Sequence, residues 1–266
     1  ASKELDEDPV KFREGVKKQK LIPGWKYIDT KNYLVLYHQD VDEALARSVG
    51  TQIEAIRAQL YETIFPPDRP IKVCSVVRVC KDAEQYHNYG GPGDSAGYWY
   101  APGMELVFYE DQSNKKDSLR VLYHEAFHQY IHYSVGDFSP HSWFNEGHGD
   151  FFFGHNYSGG RFTCAEAQWR VSEAKEWKRN PKRPPLKEWL GWTQAQYYGS
   201  NAAQVPIGAN YALGWNFIYF LRTTKKPEYQ GILDRYFKSL KGSVTRARAA
   251  REAWEKKMKE RRENPP

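Results

Sequence analysis

SLRVLYHEAFHQYIHY, residues 118–133, sets histidines and a glutamate among residues typical of a core helix. His124 and His128 are four residues apart, so in a helix their side chains emerge one turn apart on the same face. Asp117 or Ser118 is expected to cap this helix. Such an arrangement of polar groups needs an explanation other than packing.

Two imidazoles on one helix face can share a small cation. Zinc prefers nitrogen and oxygen donors in a tetrahedron, and HExxH is a standard way for one helix to supply two of them. Glu125 is turned off the ligand axis and is expected to act as the base toward water. The motif alone does not decide the site, because the chain holds eight histidines and can contain it by chance. His132 lies about 12 Å from His124 along a helix, so we interpret it as structural.

A second stretch, WFNEGHGDFF at residues 143–152, offers the other groups that a zinc site requires. A catalytic site needs a third protein ligand and an open fourth position, and Glu146 can be that ligand. Asp150 lies one helical turn further on the same face, where it can accept the second N–H of a ligand imidazole. Gly147 and Gly149 are poor helix formers. They indicate either close backbone approach near the site or the end of a short helix.

At these residues the sequence resembles the gluzincins, the zinc metallopeptidases that include the thermolysin and aminopeptidase N families. HEAFH matches their HExxH motif, and NEGHGD matches their NExxxD motif. The resemblance covers residues 118–155 and implies a zincin-like fold. It also implies these roles: zinc ligands His124, His128 and Glu146, the base Glu125, and supporting residues Asn145 and Asp150.

Two further comparisons bear on the type of metallopeptidase. The interval between His128 and Glu146 is slightly shorter than is usual in gluzincins, so the connecting loop is expected to differ while the roles stay the same. A metzincin is disfavoured, because Ile131 and Ser134 stand where that family needs a glycine and its third histidine.

YALGWNFIYFL, residues 211–221, is similar to an aminopeptidase N segment in which a tyrosine hydrogen-bonds the tetrahedral oxyanion. That resemblance implies Tyr211 as the donor, which is a sound use of a phenol. Because the chain has nineteen tyrosines, a core tyrosine with a satisfied hydroxyl stays the alternative. His141, His148 and His155 are alternative donors.

PGMEL, residues 102–106, is similar to the aminopeptidase N stretch whose glutamate holds the free amine of a substrate, although it departs from that motif. That similarity implies Glu105 as an amine anchor. The simpler alternative is that MELVFYE is an edge strand along which an extended peptide can lie.

The rest of the chain predicts an α+β protein. Strands and helices mix in the first half, where IKVCSVVRVC is a strand with at least one buried side, and only helices are expected from Asp117 onward. A mixed half followed by a helical half favours two lobes with a cleft between them. The expected organisation is an extension at 1–24 and one catalytic domain at 25–266, divided into an α+β lobe at 25–135 and a helical lobe at 136–266.

Composition limits the partners. The chain carries 39 Lys and Arg against 33 Asp and Glu, a net charge of +6. Most of the excess lies in the second half, and we interpret the basic C-terminal tail as a solvated helix rather than a nucleic-acid surface. No apolar run reaches the roughly 18 residues of a membrane span, and no signal peptide is visible. A soluble protein is expected, and its start at Ala1 suits a processed secreted form or a trimmed chain.

The three cysteines form an odd and sparse set. Cys74 and Cys80 lie in one predicted strand, about 20 Å apart, so they cannot be bridged to each other. Cysteine ligation of zinc is therefore not expected, and the redox compartment stays open.

These patterns predict a zinc-dependent peptidase that acts on a peptide or protein. Zinc would lower the pKa of its water, and Glu125 would take a proton and pass it to the leaving amine. Three alternatives stay open: a zinc-bearing protein that binds a peptide or glycan with little turnover, a zinc hydrolase of a non-peptide amide, and a basic interaction module working through Arg246–Arg262. The intact base argues against the first. Four aromatic residues can line a subsite or fill a lobe interface: Trp189, Trp192, Tyr197 and Tyr198.

Overall fold

A mixed five-stranded sheet forms the first half of the fold. The computed structural model describes residues 8–93, 95–111, 115–136, 138–201 and 204–263, with only the backbone of 115–117. The strands are β1 Trp25–Asp29, β2 Tyr33–His38, β3 Ser75–Cys80, β4 Gly97–Tyr100 and β5 Glu105–Tyr109. They lie in the order β1-β2-β3-β5-β4. The inner three are parallel, and β1 and β4 are antiparallel edges.

Helices surround this sheet and make up most of the second half, which confirms the α+β class. They are α1 Pro9–Lys20, α2 Glu43–Ile56, α3 Glu62–Ile64, α4 Ala83–Asn88, α5 Lys115–Val135, α6 Ser142–Phe153, α7 Gln168–Lys178, α8 Leu186–Leu190, α9 Gln194–Tyr197, α10 Ile207–Thr223 and α11 Ile232–Glu263. A π-helical segment, Arg57–Tyr61, joins α2 to α3. After α6, β6 His155–Ser158 and β7 Arg161–Cys164 form a hairpin.

The inner strands are buried on both faces because helices cover each side. On one face Val77 and Phe108 belong to the main core together with side chains of α2 and α5. On the other face Leu36 and Val76 pack with Val16 of α1. The strand IKVCSVVRVC is therefore buried on both sides, which agrees with the prediction of at least one. The segment interpreted as an extension contains a helix that covers the sheet.

Helix α5, which carries the HExxH motif, packs closely against β4. Gly97 allows this approach, since a Cβ there would lie 2.7 Å from Val121 Cγ1 and 3.1 Å from Phe108 Cβ. The same Cβ would lie 3.5 Å from Cγ of Glu125. The edge strand β4 is thus directly beside the predicted base.

Helix α6 contacts both α5 and α10, and its two glycines make those contacts close. A Cβ at Gly147 would lie 2.6 Å from the carbonyl oxygen of Gly214 on α10, and a Cβ at Gly149 would lie 2.6 Å from Nε2 of His124. Of the two explanations for these glycines, close approach is therefore the one that holds.

Three expectations about the elements were wrong. The stretch MELVFYE is not an edge, because β5 lies between β3 and β4. Strands do not end at Asp117, because the β6–β7 hairpin follows α6. Helix α5 begins at Lys115, so neither Asp117 nor Ser118 caps it, and the Ser118 hydroxyl instead accepts the backbone N–H of Asp111. Local patterns do not encode strand order or a short hairpin within a helical region.

Among the described residues, no helix has both the length and the apolar character needed to cross a membrane. The thiols of Cys74 and Cys80 are free and buried, and that of Cys164 is free and exposed.

Candidate metal centre

Helices α5 and α6 bring the two predicted stretches together. His124, His128 and Glu146 place three possible ligand atoms within 4.8 Å of one another. The Nε2 atoms of the two imidazoles lie 3.2 and 3.4 Å from the same Oε2 of Glu146. His124 and Glu146 are buried and His128 is half-buried, so these donors are largely withdrawn from solvent at the cleft.

Asp150 and Arg170 hold the ring of His124 from behind. Oδ1 of Asp150 lies 3.2 Å from Nδ1 of His124, and Oδ2 lies 2.8 Å from Nε of Arg170 on α7. A carboxylate in this position accepts the Nδ1–H, so Nε2 faces Glu146 and can bind an ion once its own proton is displaced. Asp150 therefore lies where the sequence pattern predicted a supporting carboxylate.

Tyr198 holds the carboxylate of Glu146. Its hydroxyl, just after α9, donates to Oε1 over 2.6 Å, while Oε2 faces the two histidines. The two oxygens of Glu146 thus have different partners. This arrangement leaves Oε2 as the donor available to an ion.

Asn145 lies at the same cleft, but its predicted supporting role is not visible as a contact. Its Oδ1 is buried and has no hydrogen-bond partner among the described residues, and the same is true of Nδ1 of His128. A ring N–H and an amide oxygen are complementary as donor and acceptor. The two unpartnered atoms are therefore chemically suited to each other.

Glu125 faces the cleft beside β4. Its Oε2 accepts the backbone N–H of Trp99 over 2.9 Å, which orients the carboxylate. Burial raises the pKa of Glu125, and the neighbouring His124 and His128 oppose that rise only in part. A carboxylate with a raised pKa is suited to accept and return a proton.

The histidines and the carboxylates of the cluster stabilise one another's charged forms. Burial by itself would lower the pKa of His124, but Asp150 and Glu146 outweigh it and hold this pKa well above the ordinary value. Burial would likewise raise the pKa of Glu146, but His128 and His124 hold it well below its usual range. The site therefore favours a positive charge beside the carboxylate, which a divalent cation supplies when it displaces the imidazole protons.

Tyr211 lies at the cleft beside the first histidine. Its ring stacks on that of His124 with centroids 6.4 Å apart and planes 26° apart. The guanidinium of Arg170 lies 5.3 Å from the centroid of the same tyrosine ring. Burial raises the pKa of Tyr211, and the charge of Glu146 adds to the effect. The phenol is therefore a neutral donor at the edge of the cluster.

The alternative donors fit less well. His148 and His155 are buried, and their Nδ1 atoms lie 2.8 and 2.9 Å from backbone carbonyl oxygens of α6. His141 is exposed and its Nδ1 contacts the hydroxyl of Tyr236 at 2.8 Å. His148 and His155 do not line the cleft that holds the metal cluster, whereas His141 lines an adjoining pocket that also includes Glu146 and Tyr198.

The cleft has a volume of about 320 Å³. It is open beside α5, α6 and β4, and Trp99, Ile131 and Tyr198 are among the residues that form its walls. His132 also lines it, with its ring 5.6 Å from that of Trp99, but this histidine is not part of the three-residue cluster.

Glu105 is not an amine anchor. It is buried in a group of charges, where its carboxylate lies 2.6 Å from Nε of Arg78 and 2.8 Å from Nζ of Lys20. It does not line the cleft. Its neighbours Leu106 and Phe108 belong to the core on the α5 side, and side chains alternate along a strand. Glu105 therefore points to the opposite face of the sheet.

Two residues of the site were missed by sequence reasoning. Tyr198 was considered only as a subsite or packing residue, and Arg170 was not considered. Neither lies near a motif, and their contacts with Glu146 and Asp150 join parts of the chain that are distant in sequence. Trp189, Trp192 and Tyr197, by contrast, are buried in the main core.

No protein-family model matches this chain, and no curated protein matches it. Conclusions about function therefore depend on the geometry of the site itself.

Proposed function

We propose that the protein is a zinc-dependent peptidase with a zincin-like fold, in which an α+β lobe and a helical lobe flank the cleft. The observation that carries this proposal is the convergence of His124, His128 and Glu146 in the cleft that also holds Glu125. A base beside such a cluster is the requirement for hydrolysis by activated water.

The donor set fits zinc. Ligand atoms about 2.0–2.1 Å from a tetrahedral ion lie about 3.3 Å from one another. The distances from Oε2 of Glu146 to the two imidazole nitrogens are 3.2 and 3.4 Å. Two nitrogens and one carboxylate oxygen also leave one position for a reacting molecule. We propose that Asn145, whose buried Oδ1 has no partner among the described residues, is a supporting residue of this centre.

Each of the other steps of hydrolysis is assigned to a residue of this chain. Zinc, when bound, supplies Lewis acidity and makes water more acidic. Glu125 takes the proton through the oxygen that Trp99 does not hold and then gives it to the leaving amine. Tyr211 donates a hydrogen bond from its hydroxyl to the developing oxyanion. Asp150 and Tyr198 keep the ligands oriented, so that little reorganisation is needed.

The edge strand β4 is the proposed binding element for an extended peptide. An edge presents backbone groups to which another strand can pair, and Tyr98, Trp99 and Ala101 line the cleft. Binding of an extended peptide, which was expected of MELVFYE in β5, is therefore proposed for β4, the strand that pairs with it. Binding through backbone hydrogen bonds favours a peptide over a compact non-peptide amide.

The test is a metal assay combined with cleavage of a peptide library. Glu125→Gln removes the base but no proposed ligand, so zinc content is expected to stay near one per chain while cleavage falls at least about 100-fold. Glu188→Gln, at an exposed position on α8, is the matched control and should cleave normally.

Retained cleavage in Glu125→Gln, or a purified chain that takes up no divalent metal, would exclude this mechanism. Zinc binding without cleavage by the unaltered protein would instead favour the alternative of a binding protein with little turnover.

A further inference from the structure

Arg222 is a half-buried cation whose closest contacts are neutral and whose one nearby carboxylate in the described part of the chain is solvent-exposed. It lies in the last turn of α10 with its side chain 16% exposed. Its Nε and Nη2 lie 3.3 and 3.2 Å from Nε2 of His148, and the guanidinium lies 5.1 Å from the ring centroid of Phe65. The one carboxylate within 4 Å among the described residues is Asp234, at 3.5 Å on a side chain that is 69% exposed.

The partner histidine cannot balance this charge. Nδ1 of His148 lies 2.8 Å from the carbonyl oxygen of Phe144, so the proton is on Nδ1 and Nε2 is an acceptor. A partly desolvated guanidinium whose anionic partner is exposed and 3.5 Å away is only weakly compensated. Consistent with this, burial lowers the pKa of Arg222 to about 10. Asp234 opposes this lowering of the pKa only in part, so the positive charge of Arg222 is incompletely balanced.

A pocket of about 840 Å³ lies against Arg222, and we call it the Arg222 pocket. It shares no lining residue with the cleft of the metal centre. Lys238 and Lys241 from α11 also line it, while Ile64 and Phe237 contribute apolar surface. Its size lies within the range of small-molecule sites, about 300–1,000 Å³.

The positive charges that line this pocket are not fully balanced by its carboxylates. Its carboxylates are Asp234 and Asp68, and Asp68 is occupied by Nζ of Lys241 at 2.6 Å. Lys238 is exposed and has no carboxylate within 4 Å among the described residues. Within the described residues of this pocket, the two positive charges of Arg222 and Lys238 are therefore balanced only by Asp234, which is exposed and can turn toward solvent.

We propose that the Arg222 pocket binds a small organic phosphate. A guanidinium presents paired donors that match phosphate oxygens, and a lysine adds a mobile point charge. The apolar walls suit the organic part of the ligand. This site is separate from the candidate metal centre, so it holds or fails independently of the peptidase proposal.

Calorimetric titration of the full chain with inorganic phosphate and with phenyl phosphate tests the site. Phenyl phosphate is expected to bind saturably and more tightly than inorganic phosphate. Arg222→Lys should weaken its binding about tenfold, because the paired donors are lost, and Lys238→Ala should weaken it about threefold. Lys225→Ala, an exposed neighbour outside the pocket, should leave it unchanged.

Lys238→Ala changes an exposed side chain and keeps the test decisive if Arg222→Lys does not fold. Absence of saturable binding up to about 10 mM, an affinity weaker than is useful for recognition, would overturn the proposal. Equal binding by the unaltered chain and Lys238→Ala would also overturn it, since capture of phosphate at the metal centre gives that result.

Discussion

Three groups of the candidate centre, His124, Glu125 and Glu146, are each held by a partner from another part of the fold. Asp150 on α6 contacts His124 on α5, and the backbone of Trp99 on β4 donates to Glu125. Tyr198 donates to Glu146. Such partners orient metal ligands, and their loss typically lowers metal affinity by about 10- to 100-fold.

Tyr198→Phe is expected to lower zinc affinity about tenfold, because Oε1 of Glu146 loses its donor and the carboxylate is no longer held in one orientation. Competition with a chromogenic chelator measures this. Tyr100→Phe, at a tyrosine that is 43% exposed, is the control. An unchanged affinity in Tyr198→Phe would show that the hydroxyl does not support the ligand.

Gly149→Ala is expected to disrupt the centre, because its Cβ would lie 2.6 Å from Nε2 of His124. Relief of such a clash costs about 1–3 kcal/mol and displaces a proposed ligand, so zinc affinity should fall more than about tenfold. Gly208→Ala on α10 has no heavy atom within 4 Å of the new Cβ and should keep normal affinity. Equal zinc affinities in the two variants would contradict the proposed ligand position.

At the scale of elements, a buried ionic cluster joins α1 to the sheet. Arg78 on β3 pairs with Glu105 on β5 over 2.6 Å, and Lys20 at the end of α1 lies 2.8 Å from the same carboxylate. Trp25 and Tyr89 lie with their ring centroids 4.5 and 4.7 Å from the guanidinium. The cluster therefore fixes a helix that belongs to the segment interpreted as an extension.

Glu105→Gln is expected to lower the free energy of unfolding by about 3 kcal/mol at pH 7, because the buried Arg78 loses its anion. Urea denaturation measures this loss. Glu188→Gln is the control for an exposed glutamate. A loss below about 0.5 kcal/mol, the usual effect of a surface substitution, would show that the pair does not stabilise the sheet.

The effect of Glu105→Gln on the free energy of unfolding is expected to depend on pH. Burial by itself would raise the pKa of Glu105, but Arg78 and Lys20 outweigh it and lower this pKa. The stabilisation is therefore complete above the unfolded glutamate pKa of about 4.3 and is lost as pH falls through the lower folded pKa. The difference in unfolding free energy between the unaltered protein and Glu105→Gln should shrink below that pH. A constant difference down to about pH 2 would contradict it.

At the scale of the whole molecule, the last helix belongs to the fold only in its first half. Leu233, Phe237 and Val244 of α11 are buried, whereas residues 251–263 are exposed apart from the half-buried Met258. Ion pairs between residues four apart, such as Arg251 with Glu255 at 2.9 Å, run along this end. The pattern matches the solvated helix predicted from interleaved charges.

Deletion of residues 251–266 is expected to change the free energy of unfolding by less than about 0.5 kcal/mol and to leave zinc binding intact. Thermal denaturation and a metal assay measure both. A large loss of stability would show that this end of α11 packs against the body. Loss of a binding partner with zinc retained would instead favour the alternative of a basic interaction module.

The amino-acid sequence by itself determined what depends on local periodicity. Four-residue spacing put His124 and His128 on one helix face, and the spacing of Glu146 and Asp150 did the same on α6. The alternation in IKVCSVVRVC predicted a buried strand for the same reason. Such features follow from the geometry of one element, so no distant contact was needed to predict them.

Only the tertiary structure decided which elements meet. It placed β4 rather than β5 at the edge, turned Glu105 away from the cleft, and brought Tyr198 and Arg170 to the candidate centre. These outcomes depend on packing between segments far apart in sequence, such as the glycine contact of α6 with α10. Packing of that kind does not appear as a periodic pattern in the sequence, because each contact depends on two elements together.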